Sequence, residues 1–334
     1  MTEPDLDWAA LDELRERFLD GAVSAAPYWR SRAALASYDR TYGERIGWKW
    51  DQVLRELELR GWRPAARTRT VVDWGCGTGI AARRVLARFG AESFDSLALW
   101  DHSALALEFA EDAARAEFPS LRVTRARSAE LAGDSPIGLL LVSHVLNELT
   151  PGALASLRAL AARADAVLWV EPGTHEVSRR LGRLRDELAA EMRVVAPCTH
   201  ALPCPMFAAG NERHWCHSFA PTPPGVLADS DWVRFGKRAA IDLRSLPYAF
   251  IALERARAGE PAASPDPTLA RVIGRVRHSK ADARLLSCDR SGLAELELRK
   301  RADPALWKAL ERTKEPLVYR WRRAGDELLG GEPG

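Results

Sequence analysis

The sequence predicts an α/β protein with a Rossmann-like core, a parallel sheet covered by helices on both faces. Three observations carry this. Between residues 70 and 192, short apolar runs alternate with amphipathic stretches at helical spacing, the pattern of successive βαβ units. The first run leads into a glycine-rich turn at Gly75, Gly77 and Gly79. Ile137–Val142 is continuously apolar, as a strand buried on both faces requires. A chain of 334 residues, 47% of them hydrophobic, can bury such a core without disulfide support.

Each element has its own signal. Residues 1–68 read as an N-terminal helical region: Leu6, Ala9, Leu11, Leu14 and Phe18 recur at helical spacing, as do apolar positions from Trp48 to Leu59, and Gly61 and Pro64 end the run. Residues 69–258 form the α/β domain. Its expected order is strand Thr70–Asp73, helix Ile80–Phe89, strand Ser96–Trp100, a helix through Ala116, a short strand Leu121–Thr124 and strand Ile137–Val142. Helix Pro151–Ala162, strand Ala166–Val170 and a long helix Glu176–Met192 follow. Across 196–236 the periodicity disappears into a Pro- and Cys-rich insertion, and a loop that long is uncommon unless it is functional or held by something. Arg244–Ala256 returns to regular structure, and Gly259–Pro267 reads as a linker. Residues 268–325 form a small β module with strands at Leu269–Val276, Ala283–Cys288 and Gly292–Lys300, and Gly330–Gly334 is of low complexity.

The net charge of +2 is an average over unlike parts. From Arg271 to Arg323 there are 15 Lys+Arg against 7 Asp+Glu, so the rest of the chain is mildly acidic. Such asymmetry points to an anionic partner such as RNA; the alternative is a solvated charged face. Candidate phosphate contacts are Arg271, Arg275, Arg277, Lys280, Arg284, Arg299, Lys300 and Arg301, with Arg320, Arg322 and Arg323 beyond them. Arginine suits planar phosphate recognition, although 42 Arg against 6 Lys also fits a GC-rich genome. The apolar stretches fall short of the ~20 residues of a membrane span, and the acidic N-terminus does not resemble a secretory signal. We therefore expect a cytoplasmic bacterial protein, without a membrane and monomeric off its partner.

The turn reads Asp73-Trp74-Gly75-Cys76-Gly77-Thr78-Gly79. Glycines allow a sharp turn and close approach of a ligand, and the helix N-terminus that follows favours a negative group. The next strand ends in Asp101, a carboxylate placed to bind two ribose hydroxyls. The spacing departs from the dinucleotide pattern and resembles the first motif of class I S-adenosylmethionine-dependent methyltransferases. By that resemblance Gly75, Gly77 and Gly79 cradle the methionine part of the cofactor and Asp73 holds its amino group. Asp101 binds the ribose, Ser128 lies near the adenine, and Ser143 joins the cofactor set. The alternative is a degenerate fold that keeps the turn without using the ligand. Ser143-His144-Val145-Leu146-Asn147-Glu148 follows the fourth strand, over the methyl donor in such folds. The Asn/Asp-Pro-Pro-aromatic motif with which base methyltransferases grip an amino group is absent there. His144, Asn147 and Glu148 are weak catalytic candidates that could equally cap or pack locally.

The five cysteines are odd in number, and three crowd into 19 residues: Cys198, Cys204 and Cys216. A secreted disulfide framework fits poorly. Four readings remain on spacing alone. Cys198, Cys204, Cys216 and Cys288 supply the four thiolates of an iron–sulfur cluster; three cysteines with a fourth ligand bind zinc; Pro197-Cys198 or Pro203-Cys204 provides a nucleophile; or the thiols are simply buried.

One family unites these motifs. Val71–Gly79, Ser143–Leu149, Glu171-Pro172-Gly173-Thr174, Cys198–Cys204 and His214-Trp215-Cys216-His217-Ser218-Phe219, with the later Cys288, resemble the methyltransferase-like small-ribosomal-subunit assembly factors of mitochondria and bacteria. The likeness runs from about Tyr28 to Arg323. The glycine loop is common to all class I methyltransferases, whereas the cysteine arrangement is specific. The resemblance implies a 4Fe-4S cluster on Cys198, Cys204, Cys216 and Cys288, an S-adenosylmethionine site, and the small ribosomal subunit with its rRNA as partner. It leaves open whether methyl transfer occurs.

Overall fold

The computed structural model describes residues 5–20, 29–64, 69–133, 135–255, 266–312 and 318–334. In chain order the helical lead is α1 (Trp8–Asp20), α2 (Arg32–Tyr38) and α3 (Glu44–Leu59), with one π-helical turn, Asp39–Gly43, before α3. Then come β1 (Thr70–Trp74), α4 (Ile80–Phe89), β2 (Ser96–Trp100), α5 (Ala104–Glu117), β3 (Arg122–Arg125), α6 (Ser128–Ala132), β4 (Ile137–Ser143), α7 (Pro151–Ala161) and β5 (Ala164–Pro172). They are followed by α8 (His175–Leu188), β6 (Met192–Ala196), β7 (Ser218–Phe219), α9 (Ser230–Ala239) and β8 (Pro247–Arg255). The last elements are β9 (Leu269–His278), β10 (Asp282–Asp289), β11 (Gly292–Arg299), α10 (Pro304–Arg312), β12 (Val318–Ala324) and β13 (Glu327–Pro333).

These elements form two compact units, Met1–Val170 with Pro221–Leu246, and Glu171–Ala220 with Pro247–Gly334. In the first, β3, β2, β1, β4 and β5 lie side by side and run parallel. Ile137–Val142 of β4 is fully buried, and Trp169 and Leu168 of β5 beside it are inaccessible, which is why this part of the chain is a continuous apolar run. The strand order reverses between β1 and β4, and ligands of open parallel sheets bind outside the carboxyl ends of strands at such a point. The helical lead packs on this unit through buried Trp50, Leu54 and Leu57 of α3. Arg84 of α4 donates to both Glu44 oxygens at 2.7–2.8 Å, and Arg83 donates to Asp39 at 2.6 Å.

In the second unit, β6 and β7 pair antiparallel with β8. Strands β10-β11-β13-β12-β9 close a barrel. Its core is Val272, Ala283, Leu285, Leu296, Leu298, Tyr319 and Leu328, and α10 adds Leu306 and Leu310, one turn apart on one helix face.

Several expectations need correction. The long helix stops at Leu188, and Met192 opens β6. Leu188 and Met192 keep helical spacing, but pairing with β8 (Met192 with Arg255, Val194 with Leu253) takes Met192 into the sheet. The insertion 196–236 is not wholly irregular: it ends in the first turns of α9, capped by Asp229, whose carboxylate accepts from the Asp231 and Trp232 amides. The segment 330–334 is not idle sequence. Gly330 and Gly331 lie in β13 against Trp321 and Arg322 of β12, where a Cβ on Gly331 would sit 2.5 Å from the Trp321 ring. Glycine is there because the indole needs the room. The Gly259–Pro267 linker falls almost wholly outside the described residues. Among the described residues no helix is long and apolar enough to cross a membrane.

Candidate functional site

The site grows from the carboxyl end of β1. The backbone turns there through three left-handed glycines, Gly75 (φ +71°), Gly77 (φ +52°) and Gly79 (φ +75°). Each resists substitution for its own reason. A Cβ on Gly75 would lie 2.6 Å from Val145 Cγ1 and one on Gly79 would lie 3.1 Å from Ala110 Cβ, whereas Gly77 faces open space. Gly77 is the place where a ligand can reach the backbone. The turn is held by Trp100, whose carbonyl accepts from the Gly75 and Cys76 amides at 2.8 and 3.0 Å. Cys76 is buried within the turn and belongs to the first unit, whereas the other four cysteines belong to the second.

Asp73 is inaccessible. Its Oδ2 accepts from the Ala82 amide at 3.3 Å, while Oδ1 is buried with no partner. Burial, aided by the charge of Asp101, pushes its carboxyl up to about 7. The Thr78 hydroxyl is also buried without a partner. An unpartnered buried carboxylate oxygen and a hydroxyl beside an open glycine cradle suit a ligand carrying an ammonium group, because a buried polar atom otherwise forfeits its hydrogen bond.

Asp101 accepts from the Gly77 amide at 2.9 Å and the Ser103 amide at 2.8 Å. A carboxylate has about four acceptor positions; His102 Nδ1 also lies 3.5 Å from Oδ1, and Oδ2 keeps room for a further hydroxyl. Ser128, at the start of α6, accepts from Trp100 Nε1 at 3.1 Å, and the Trp100 ring stacks on Trp74 at 4.5 Å. The structure thus gathers Asp73, Gly75, Gly77, Gly79, Asp101 and Ser128 around one strand end.

The end of β4 meets the same place, since Val145 abuts Gly75. His144 adopts φ +56°, unusual for a residue with a Cβ. Lys49 of α3 lies 3.0 Å from its Nε2. An ammonium only donates, so Nε2 accepts and the ring proton sits on Nδ1, 3.5 Å from Ser143 Oγ. Burial and then the Lys49 charge hold His144 well below the usual histidine range, so it is neutral. Ser143 Oγ in turn accepts from Trp50 Nε1 at 2.9 Å. Asn147 is exposed on the short turn Leu146–Glu148. Glu148 keeps solvent access, and partial desolvation and then the charge of Asp101 push its carboxyl up to about 7. Sequence reasoning missed Lys49, Trp50 and Thr78. The amphipathic pattern of α3 was visible, but nothing local says which of its residues meet β4.

The second unit holds the thiols. Cys288 is pushed well above its normal range by burial and then by Cys198, Cys216 and Cys204. Cys204 is raised to about 11 by burial and by Cys198. The four therefore share one neighbourhood, although no group of three or more His, Cys, Asp or Glu side chains among the described residues is drawn in to metal-holding geometry. His200 Nε2 lies 3.9 Å from Cys288 Sγ. Arg185 of α8, 2% exposed, donates to the carbonyls of His200 and Leu202 at 2.7 Å each, and Asp186 accepts from the Cys204 amide at 3.1 Å. One buried arginine and its neighbour thus shape the loop from Cys198 to Cys204. Arg185 carries its buried positive charge close to Cys198 and Cys204, soft sulfur donors whose thiolates that charge would offset.

The basic candidates divide. Arg275, Arg277, Lys280, Arg284, Arg299, Lys300 and Arg301 are exposed. Arg271 is a correction: it is 3% exposed, donates to Pro197 O and Ser218 Oγ, and cannot touch a phosphate. It lies on β9 with Arg275 and Arg277, but Pro197 and Ser218 cover its end of the strand.

Over residues 48–314 the chain matches the family described as mitochondrial small ribosomal subunit Rsm22. The chain belongs to the Rsm22 family. That is the group to which the cysteine and glycine motifs pointed. No curated protein matches the chain. Among solved structures, it is similar to magnesium protoporphyrin IX methyltransferase (ChlM) from Synechocystis PCC 6803 with bound SAM. The identity is 12%, with 77% of this chain and all of that one covered and a TM-score of 0.40. It is also similar to an O-methyltransferase family protein from Burkholderia thailandensis, at 14% identity over 76% of this chain and 70% of that one, with a TM-score of 0.39.

Proposed function

We propose that this Rsm22-family protein binds S-adenosylmethionine at the β1 turn and acts on small-subunit rRNA during ribosome assembly, with a 4Fe-4S cluster on Cys198, Cys204, Cys216 and Cys288. The observation that carries the reading is the glycine cradle with the unpartnered Asp73 oxygen at the point where strand order reverses. Asp73 would hold the cofactor's amino group, Asp101 its ribose hydroxyls, and Ser128 with the Trp74–Trp100 stack would flank its adenine. S-adenosylmethionine supplies an electrophilic methyl group on a sulfonium, and the transfer needs mainly orientation and exclusion of water. Glu148, with its carboxyl near 7, can take up the proton that the methylated atom loses. Asn147, its exposed neighbour in sequence, would orient the acceptor. Cysteines kept reduced to ligate a cluster suit a reducing compartment such as the bacterial cytoplasm.

A second reading has a specific observation behind it. Ser143 and His144 are bound to Trp50 and Lys49 rather than left to grip a base. A non-catalytic assembly factor that keeps the donor pocket and binds rRNA through its basic barrel fits that arrangement. Titration calorimetry with S-adenosylmethionine tests the pocket, and mapping rRNA methylation in a deletion strain, with re-expressed Glu148→Gln as control, separates the two readings. Absence of binding by the calorimeter overturns the cofactor assignment. Anaerobic protein should carry about four iron atoms per chain; stoichiometric zinc without iron replaces the cluster with a zinc site on the same thiols.

A further inference from the structure

The barrel strands have a specific connectivity. A meander β9-β10-β11 is followed by α10, then the hairpin β12-β13, and β13 closes beside β11 in parallel. A five-stranded barrel with a helix between its third and fourth strands is the arrangement of the OB-fold, which binds oligonucleotides on the face of strands 2 and 3 and at the loops joining strands 1–2 and 4–5. In this chain those are β10, β11, the loop Ser279–Ala281 and the loop Gly325–Asp326.

The usual face is occupied. Ala283, Leu285, Leu296 and Leu298 point into the barrel, so Cys288, Leu293 and Glu295 point out. Cys288 faces the cysteine loop, with His200 at 3.9 Å, and Glu295 is paired with Arg213 at 3.1 Å. The loop between β12 and β13 carries Asp326, and Glu327 after it meets Arg299 at 3.4 Å; Arg322 and Arg323 stand just before it on β12. The Cys288 half of that face is therefore covered, and the β12–β13 loop sets a carboxylate where a phosphate chain would lie.

The other end is built differently. The Lys300 amide donates to the Ala281 carbonyl at 2.8 Å, which brings the start of the β11–α10 connection onto the β9–β10 loop. Arg277 and Arg284 are direct cross-strand partners, and Asp282 pairs with Arg299. Arg277, Lys280, Arg284, Lys300 and Arg301 are all exposed there. Two arginines directly opposite each other repel, and an anion relieves that cost. Arg284 already meets Glu297 at 3.1 Å, so Arg277, Lys280, Lys300 and Arg301 carry the excess. Lys300 rests its ammonium 4.3 Å over the Trp307 ring, an aromatic body at the same end.

We infer that the barrel is an OB-fold whose strand-2/3 face is taken by the cysteine loop, and that it grips single-stranded RNA at its β9–β10 loop end. The inference rests on the proposed rRNA reading and gives it a location and an RNA form. Single-stranded RNA is the occupant argued here, because OB barrels bind unpaired strands through grooves of positive charge.

The test uses the full-length, metal-loaded chain and a fluorescein-labelled oligouridylate of about 12 nucleotides, within the span one such barrel holds. Anisotropy is read between 50 and 300 mM salt. Arg277→Gln/Lys280→Gln/Arg301→Gln should weaken binding at least tenfold near 0.1 M salt. It should also flatten the dependence of log K on log salt by about 2, near 0.7 for each phosphate of a single strand that is no longer neutralised. Arg320→Gln/Arg322→Gln/Arg323→Gln removes the same charge from β12 and should change affinity less than threefold. Equal loss in both triple variants, no loss in the first, or tighter binding to a blunt RNA duplex overturns the inference while leaving rRNA binding in place. Failure of the unmodified protein to bind RNA in any form overturns the rRNA reading with it. Unchanged iron content and melting temperature confirm that a variant is folded.

Discussion

At the scale of residues, the site is a set of unmet demands. Asp73 is held near 7 by burial, against an unfolded value near 4. An acid raised by folding adds stability that is full below its unfolded value and lost as pH rises through its folded value, so Asp73 costs stability at neutral pH. A bound ammonium reverses that preference by favouring the carboxylate. S-adenosylmethionine affinity should therefore fall as pH drops below 7, approaching tenfold per unit, while Asp73→Asn should bind weakly with a flatter profile; calorimetry from pH 5.5 to 8 reads both. Gly75 makes a second prediction. Gly75→Ala meets both φ +71° and a clash at 2.6 Å, so it should cost about 1–3 kcal/mol and abolish cofactor binding. A thermal melt showing no loss would mean that the turn tolerates a Cβ and that Val145 yields.

At the scale of elements, α8 does more than its amphipathic sequence announces. Leu181, Leu184 and Leu188 mark a buried face that periodicity predicts. Arg185, among them, looks in the sequence like a solvent-facing charge. It is instead buried and bound to two carbonyls of the Cys198–Cys204 loop. Arg185→Gln leaves those acceptors unsatisfied and should cost about 2–4 kcal/mol; if the thiols hold the proposed cluster, iron content falls in parallel because the loop loses its brace. Full iron occupancy in a stable Arg185→Gln protein would show that the cysteines set the loop by themselves. Strand β12 illustrates the opposite difficulty. Arg320 and Arg322 alternate with Tyr319 and Trp321, which pack on the barrel core. That alternation is legible, but three arginines within four residues disguise it as a charged tail.

At the scale of the whole molecule, the charge asymmetry and four of the five thiols belong to the same unit. Cys198, Cys204 and Cys216 precede β8, and Cys288 lies on the barrel, so a metal centre on them would join two distant stretches of that unit. Such a link stabilises by binding only the folded form. On the proposed cluster, removing iron by chelation under reducing conditions should lower the melting temperature of this unit by about 4–8 °C for ~2 kcal/mol. It should also open residues 197–216 to protease. Differential scanning calorimetry and limited proteolysis read these effects; an unchanged melt after complete iron loss would mean that the packing around Arg185 and His200 suffices.

The sequence by itself determined what depends on local pattern. Ile80–Phe89 and Ser96–Trp100 form where periodicity places them, and the glycine turn, Asp73 and Asp101 stand at strand ends because strand ends are short-range features. Only the tertiary structure decided which partners meet across the chain. Lys49 reaches His144 across 95 positions, Arg271 is buried against Pro197, Met192 leaves its helix for β8, and glycines that look idle make room for Trp321. These outcomes are set by packing between distant segments, whose side chains compete for the same buried volume and hydrogen bonds. No window of sequence contains both competitors.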